Sequence, residues 1–242
     1  MKKCVHQVLS ILILALVILS GCNRPARVLL VTGGHDFDTA EFYSLFASIE
    51  NSTFDTVSHP RAMEILATGE VDKYNVVVFY DYVPGMPLDD SLVFLGLAQK
   101  GIPMLFLHHA LCNFQNWDGY RQMVGGKYTI PEFQSDSTLH SNYRHDLDIP
   151  VEVLDPDHPV TVGVDDFVIH DEGYSNIQVN HDVQPLLGTT HPDCAPLLAW
   201  VNRYQNSTCL CLLLGHDSAA YANENFRILL HNSIQWLSHE TH

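Results

Sequence analysis

Apolar residues come as short unbroken runs in the first half of the chain and as alternating or interrupted segments in the second, and this change of texture predicts the fold. "ARVLLVTGGHDFD" reads as a buried strand from Val28 to Val31 that ends in Thr32-Gly33-Gly34. A helix follows: Asp38 is placed as its N-cap with Glu41 three residues on, and Phe42, Leu45, Phe46 and Ile49 share one face. "STFDTVS" is a second strand, and Pro60 opens a short helix that ends near Gly69. "NVVVFYDY" (75–82) is a third strand, apolar enough to be covered on both faces. Residues 88–100 form its crossover helix, closed by Lys100 and Gly101. "PMLFL" (103–107) is the fourth strand, leading into a helix that carries Trp117, Tyr120 and Val124 and stops at Gly125-Gly126.

Beyond Gly126 the segments "IPVEVL", "FVIH", "VQPLL", "PLLAWVNRY" and "TCLCLLL" replace the strand-helix rhythm and predict an antiparallel extension. "VNRYQNSTC" contains a hairpin turn. A last helix from about Asn223 to His239 turns Phe226, Leu229, Leu230, Ile234 and Leu237 inward. The expected class is therefore α/β: an open parallel sheet flanked by helices, with antiparallel strands added in the C-terminal half.

The first residues do not belong to that pattern. Lys2 and Lys3, an apolar run from Val8 to Leu19 and then "LSGC" at 19–22 form a secretory signal whose end resembles the lipobox of bacterial lipoproteins. The expected organisation is a signal over 1–21, a short tether over 22–27 with an acylated Cys22, and one domain over 28–240. Such a protein is exported and held on a membrane through its lipid, periplasmic or at the cell surface. No Gly/Ser-rich linker or repeat divides the remainder.

Charge narrows the partners. The chain has 12 Lys and Arg against 28 Asp and Glu, and losing the signal removes two basic residues and no acidic one. Such a surface repels phosphate backbones and anionic head groups, which argues against nucleic acid and for a neutral or cationic ligand. Cys209 and Cys211 are two apart on a strand, hence on one face and badly placed to bond each other, so they are expected as buried free thiols.

Ligands of open α/β sheets bind outside the carboxyl ends of the strands. Polar clusters fall at those ends: "GGHD" (33–36), "YDY" (80–82), "HHA" (108–110) and "GHD" (215–217). One histidine at a strand end is more often structural than functional; four together reverse that preference. Gly33 and Gly34 let the backbone turn tightly and expose N–H groups to an anion or polarised oxygen. No G-x-G-x-x-G or G-x-x-x-x-G-K-[ST] motif is present, which disfavours dinucleotide and P-loop nucleotide sites. A second group, "YRHDLD" (143–148), "IHDEGY" (169–174) and "TTHPDCAP" (189–196), sets histidines beside carboxylates. It would serve either a general base with its orienting partner or a divalent metal, although no H-E-x-x-H spacing occurs.

"VLLVTGGHDFDTAEFYSLF", "FLHHALCNFQNWDGYRQMVGGKY", "HDLDIPVEVLDPDHPVT", "IHDEGY" and "LGHDSAAYANENFRILLHNSIQWL" follow one another in the order of the ThuA-like (trehalose-utilisation) proteins, which the chain resembles over nearly all of residues 27–238. The resemblance implies a flavodoxin-like sheet of the class I glutamine amidotransferase type. It also implies sugar metabolism connected with 3-keto derivatives of trehalose and related glucosides, and motif positions at His35, His108, His109, His145, Asp171, His216 and Asp217. Glutamine amidotransferases carry their nucleophile in an elbow resembling P-x-L-G-[IV]-C-x-G. Laid on "PMLFLHHA", that pattern puts the cysteine slot at His108, so glutaminase chemistry is not expected, and Cys112 four residues later is no substitute.

Candidate roles follow. His108, His109, His216 and Asp217 are candidates for acid/base catalysis. Gly34, His35, Tyr82, Tyr174 and Tyr221 are candidates for binding a small-molecule carbohydrate. His35, His145 and Asp171 are candidates for holding a divalent metal. Three readings remain open: an enzyme acting by proton transfer on a keto-sugar or glycoside, an anchored sugar-binding protein with Trp117, Tyr80, Tyr82 and Tyr174 as stacking surfaces, and a module whose acidic surface docks a partner.

Overall fold

The structure, a computed structural model, describes residues 24–240. The signal over 1–21 and Cys22 lie outside the described residues. The elements run β1 (Ala26–Gly33), α1 (Thr39–Ala47), β2 (Ser52–Ser58), α2 (Arg61–Leu66), β3 (Val76–Asp81), α3 (Ser91–Lys100), β4 (Met104–Leu107) and α4 (Asp118–Val124). Then come β5 (Gly126–Lys127), β6 (Asn142–Val153), β7 (Phe167–Ser175), β8 (Gln178–Val179), β9 (Gln184–Gly188), β10 (Leu197–Tyr204), β11 (Ser207–Leu212), α5 (Ser218–Ala222) and α6 (Glu224–His239).

Nine strands form one sheet in the order β2-β1-β3-β4-β11-β10-β9-β6-β7. The first five are mutually parallel, in the flavodoxin-like order, and every later neighbour is antiparallel. The expected α/β class with its antiparallel extension is the observed one. Four reversals after β11 leave β7 pointing the same way as β1, β3 and β4. The carboxyl end of β7 and the start of β6 therefore reach the same edge as the carboxyl ends of the parallel strands.

The two faces of the parallel half are built by strict alternation. Val28 and Leu30, Val76, Val78 and Tyr80, Leu105 and Leu107, and Leu210 and Leu212 pack with α1 and α6 on one side. Leu29 and Val31, Val77 and Phe79, Met104 and Phe106, and Cys209 and Cys211 pack with α2, α3 and α4 on the other. Cys209 and Cys211 are buried on one face and free, as expected. α6 fully buries Leu229, Leu230, Ile234 and Leu237, each such burial stabilising by about 1.5–3 kcal/mol. Its first turn is held by the Asn223 side chain, which accepts from the backbone N–H groups of Asn225 and Phe226.

Several local readings are refined. β1 begins at Ala26, inside the expected tether. Asp38 occupies the N-cap position of α1, but its side chain accepts from the Ser218 N–H at 2.9 Å and so ties α1 to the start of α5. The chain after β4 first makes a 3-10 turn over His108–Cys112, and Trp117 precedes the helix that it was expected to join. β6 and β7 extend well beyond "IPVEVL" and "FVIH", because their outer ends pair with each other over the site. Among the described residues, no helix is long and apolar enough to cross a membrane.

Candidate functional site

β1, β3 and β4 each deliver a ring to the same edge. After β1 the chain turns through Gly34, whose φ is +80° and whose missing Cβ would lie 1.9 Å from the Tyr82 carbonyl oxygen. Only glycine permits that approach, and it seats His35 against the end of β3. After β4, His108 takes φ +48°, a left-handed conformation that is uncommon outside glycine. This sharp turn sends the His108 side chain inward and brings His109 to face the loop after β1. His109 stacks on His35 with ring centroids 4.6 Å apart and leans on Tyr80 at 4.5 Å.

His108 is fully buried and is the hub. Its Nδ1 is 2.7 Å from the Leu213 carbonyl oxygen, so Nδ1 carries the proton there. Its Nε2 faces Glu172 Oε2 at 2.9 Å, the Tyr174 hydroxyl at 2.9 Å and His216 Nδ1 at 3.1 Å. The other Glu172 oxygen, Oε1, meets His145 Nδ1 at 3.2 Å. Asp171, next to Glu172 on β7, accepts the backbone N–H groups of Glu172, Gly215 and His216 at 2.7–3.0 Å. It therefore aligns two segments that carry the site.

Burial opposes a charge on His108, yet the Glu172 hydrogen bond and the nearby Asp171 and Glu172 charges outweigh it and raise its pKa. Burial likewise opposes the charge on Glu172, and His108 nevertheless holds it below the usual carboxylate range. The two form an ion pair. His216 is lowered by burial and by His108, and His109 is pushed well down by burial and by the neighbouring imidazoles, so both stay neutral. His109 is also orphaned: buried, with neither ring nitrogen hydrogen-bonded to any described group.

A cavity of about 260 Å³ opens over these groups, lined by His35, Tyr82, His109, Cys112, Tyr128, Tyr143, His145, Glu172 and Tyr174. It lies just under the ~300–1,000 Å³ of sites for drug-sized ligands, a size suited to one sugar ring. A larger hollow of about 510 Å³ sits at the opposite edge, by Arg24, Arg27 and Lys73, away from the histidine group.

His35, His108, His109, His145, His216, Tyr82 and Tyr174 are thus brought together. Others go elsewhere. Asp217 caps α5 by accepting from the Ala219 and Ala220 N–H groups. Tyr221 is buried, with its hydroxyl bonded to the Tyr80 hydroxyl and the His216 carbonyl. Gly34 serves loop packing. Asp171 spends both oxygens on backbone N–H groups, and His35 turns Nδ1 to the Asp36 carbonyl, so His35, His145 and Asp171 do not converge as one ligand set. Trp117 packs against Phe94 and Phe114.

Sequence reasoning missed Glu172. Its signal was the second acid of "IHDEGY", obscured because strand alternation points neighbouring residues to opposite sides. Tyr128 and Tyr143 carried no signal. The thiol of Cys112, which lines the cavity, is pushed well up by burial and by the Glu172 charge, against thiolate formation.

The family model described as ThuA, trehalose utilisation, matches residues 27–237. A ThuA-like protein of Parabacteroides merdae is similar in structure, with 17% identity and TM-score 0.71 over 89% of this chain and 91% of that one. A ThuA-like protein of Bacteroides uniformis shares 18% identity with TM-score 0.67 over 88% and 91%. A glutamine amidotransferase of Thermotoga maritima shares 12% identity with TM-score 0.52 over 89% and 99%. No curated protein matches the chain.

Proposed function

The chain belongs to the ThuA trehalose-utilisation family, and from that premise we propose that its pocket binds a small neutral carbohydrate and carries out proton transfer on a keto-sugar or glycoside of the trehalose or 3-keto-glucoside type. One observation carries this reading: Glu172 bridges two imidazoles at the cavity floor, His108 through Oε2 and His145 through Oε1. A carboxylate that orients an imidazole prepares it to take a proton. A 3-keto group acidifies the adjacent C–H, so His145 accepts that proton while the hydrogen-bonding centre around His108 and Tyr174 steadies the developing negative charge on the keto oxygen. Isomerisation returns the proton to a neighbouring carbon; elimination expels the glycosidic oxygen as the electron pair collapses.

Residues 19–22 and the acidic surface support an exported, acylated protein meeting uncharged sugars. An anchor at Cys22 would precede β1, whose start lies at the sheet edge opposite the cavity. The tyrosines around the cavity also favour a second reading, an anchored sugar-binding protein without turnover.

The test incubates the full chain in mild detergent with a panel of glucosides and their 3-keto forms, followed by mass spectrometry. Turnover that falls by ~10²–10⁴ in His145→Ala, with the fold unchanged, is the expected result for a lost general base. Sugar binding without turnover selects the second reading. A chain inert on the whole panel and binding none of it sinks both.

A further inference from the structure

We propose that His108, Glu172 and His216 bind one divalent transition-metal ion, Zn²⁺ or a close relative, through His108 Nε2, Glu172 Oε2 and His216 Nδ1. The three donor atoms lie within 4.8 Å of one another, at pairwise separations of 2.9, 3.1 and 3.4 Å. A tetrahedral ion with bonds of ~2.0–2.1 Å separates its ligand atoms by about 3.3 Å. Movements of a few tenths of an ångström would therefore admit it.

The surroundings are those of prepared ligands. His108 gives its Nδ1 proton to the Leu213 carbonyl, which leaves Nε2 as the ligating nitrogen and fixes the ring. In the neutral tautomer that leaves a lone pair aimed at a carboxylate oxygen 2.9 Å away, an arrangement that requires a proton or a cation between them. Asp171 holds the backbone N–H groups of both Glu172 and His216 and so sets two of the three ligands in place. Glu172 Oε1 is in turn engaged by His145. Two nitrogens and one carboxylate oxygen suit Zn²⁺, Co²⁺ or Ni²⁺ better than Mg²⁺ or Ca²⁺, which take oxygen ligands.

A second observation points to an occupant of the adjoining cavity, which Glu172 also lines. His109, 3% exposed and with neither ring nitrogen partnered, lies with its ring 5.2 Å from that of His108 and lines the cavity. Its partner must come from whatever fills the cavity, and a water or substrate oxygen on the metal's remaining position would supply one. The three ligands come from the turn after β4, from β7 and from the loop after β11. No motif spacing could have joined them. The proposal deepens the reading above, in that a metal there would polarise the keto oxygen as a Lewis acid, but its test needs no sugar.

The full chain is stripped with a chelator and titrated with Zn²⁺ by equilibrium dialysis, with Mg²⁺ as competitor, and with Co²⁺ by visible absorption. One tight equivalent per chain is expected, unaffected by Mg²⁺. The Co²⁺ form should show d–d bands without thiolate charge transfer. His216→Ala and Glu172→Gln should each weaken binding by at least the ~10–100-fold that outer-sphere changes already cost, while His191→Ala keeps it. Thermal unfolding should rise with Zn²⁺ in the parent and not in those two variants. His108→Ala removes a fully buried ring; should it fail to fold, the partly exposed His216 carries the test. The proposal is overturned if the parent binds no stoichiometric Zn²⁺, or if folded His216→Ala and Glu172→Gln bind it as tightly as the parent. Metal bound without any sugar chemistry would sink the proposed function alone; sugar turnover by a chain that binds no stoichiometric Zn²⁺ would sink the metal alone.

Discussion

Two imidazole–carboxylate pairs sit close together at the carboxyl edge of the sheet, and they differ in how their hydrogen-bonding capacity is spent. His59 and Asp81, 2.7 Å apart, form a closed network: the second Asp81 oxygen accepts from Asn113 Nδ2 at 2.8 Å, and the Asn113 oxygen accepts from the Val83 N–H. Both Asp81 oxygens and both ends of the Asn113 amide are engaged, and neither His59 nor Asp81 lines the cavity beside the histidine group. At His108 and Glu172 a carboxylate oxygen, an imidazole nitrogen and a tyrosine hydroxyl crowd one ring nitrogen, and the neighbouring His109 has no hydrogen-bond partner among the described residues. A buried polar network that is complete within the protein holds a fold; one that is over-supplied at one atom and deficient at the next is arranged for something that binds.

The largest effect expected from this contrast is a double dissociation. Asp81→Ala strips His59 and Asn113 of their common acceptor in a buried place, and should cost about 3–5 kcal/mol of stability with turnover per folded molecule retained. Glu172→Gln keeps the shape and removes the charge that orients His108 and His145. It should lower turnover by the ~10²–10⁴ typical of acid/base groups, with a smaller change in stability than Asp81→Ala. Chemical denaturation and steady-state kinetics on both variants decide it. If Asp81→Ala proves the more damaging to turnover, the two networks have been assigned the wrong way round.

The same contrast separates what was legible in the sequence from what was not. The order of β1, α1, β2, β3, α3, β4 and α6 could be read because apolar run length and helical spacing are local properties, and Gly101 and Gly125 end α3 and α4 in left-handed conformations as their positions suggested. His35, His108, His109 and His216 could be gathered by one rule about strand ends. Glu172 could not, since its place depends on four strand reversals after β11 that bring β7 back parallel to β1. Asp217 and Tyr221 looked chemical in "GHDSAAY" and turn out to cap a helix and to close a wall, roles that are set by neighbours distant in sequence.

A smaller effect sharpens the boundary between scaffold and site. Gly34 touches the Tyr82 backbone, and both His35 and Tyr82 line the cavity. Gly34→Ala puts a methyl group into that contact at φ +80°, where an L-residue is strained, and should cost about 1–3 kcal/mol. Because the loop after β1 must back away, ligand affinity should fall along with unfolding free energy. Unfolding free energy and affinity both equal to the parent's would mean that the loop is not held by this contact.

The smallest effect concerns a histidine of the closed kind, remote from the pocket. His158 is buried with its ring edge-on to Trp236 at 4.7 Å, and its Nδ1 accepts from the Val160 N–H at 3.2 Å, so the ring serves as an acceptor. Burial lowers its pKa below 6.5, and the Asp155 and Glu240 charges offset this only in part. The sign follows from proton counting. Below pH 6.5 the unfolded chain takes up a proton at His158 that the folded chain refuses until its own lower pKa is reached, so the contribution of the neutral ring is complete above 6.5 and declines as the pH falls. Other groups titrate over the same range, and comparison with His158→Asn removes them. The stability of the parent minus that of the variant should shrink between about pH 8 and about pH 5. A difference that stays level, or grows on acidification, would mean that His158 accommodates its charge in place.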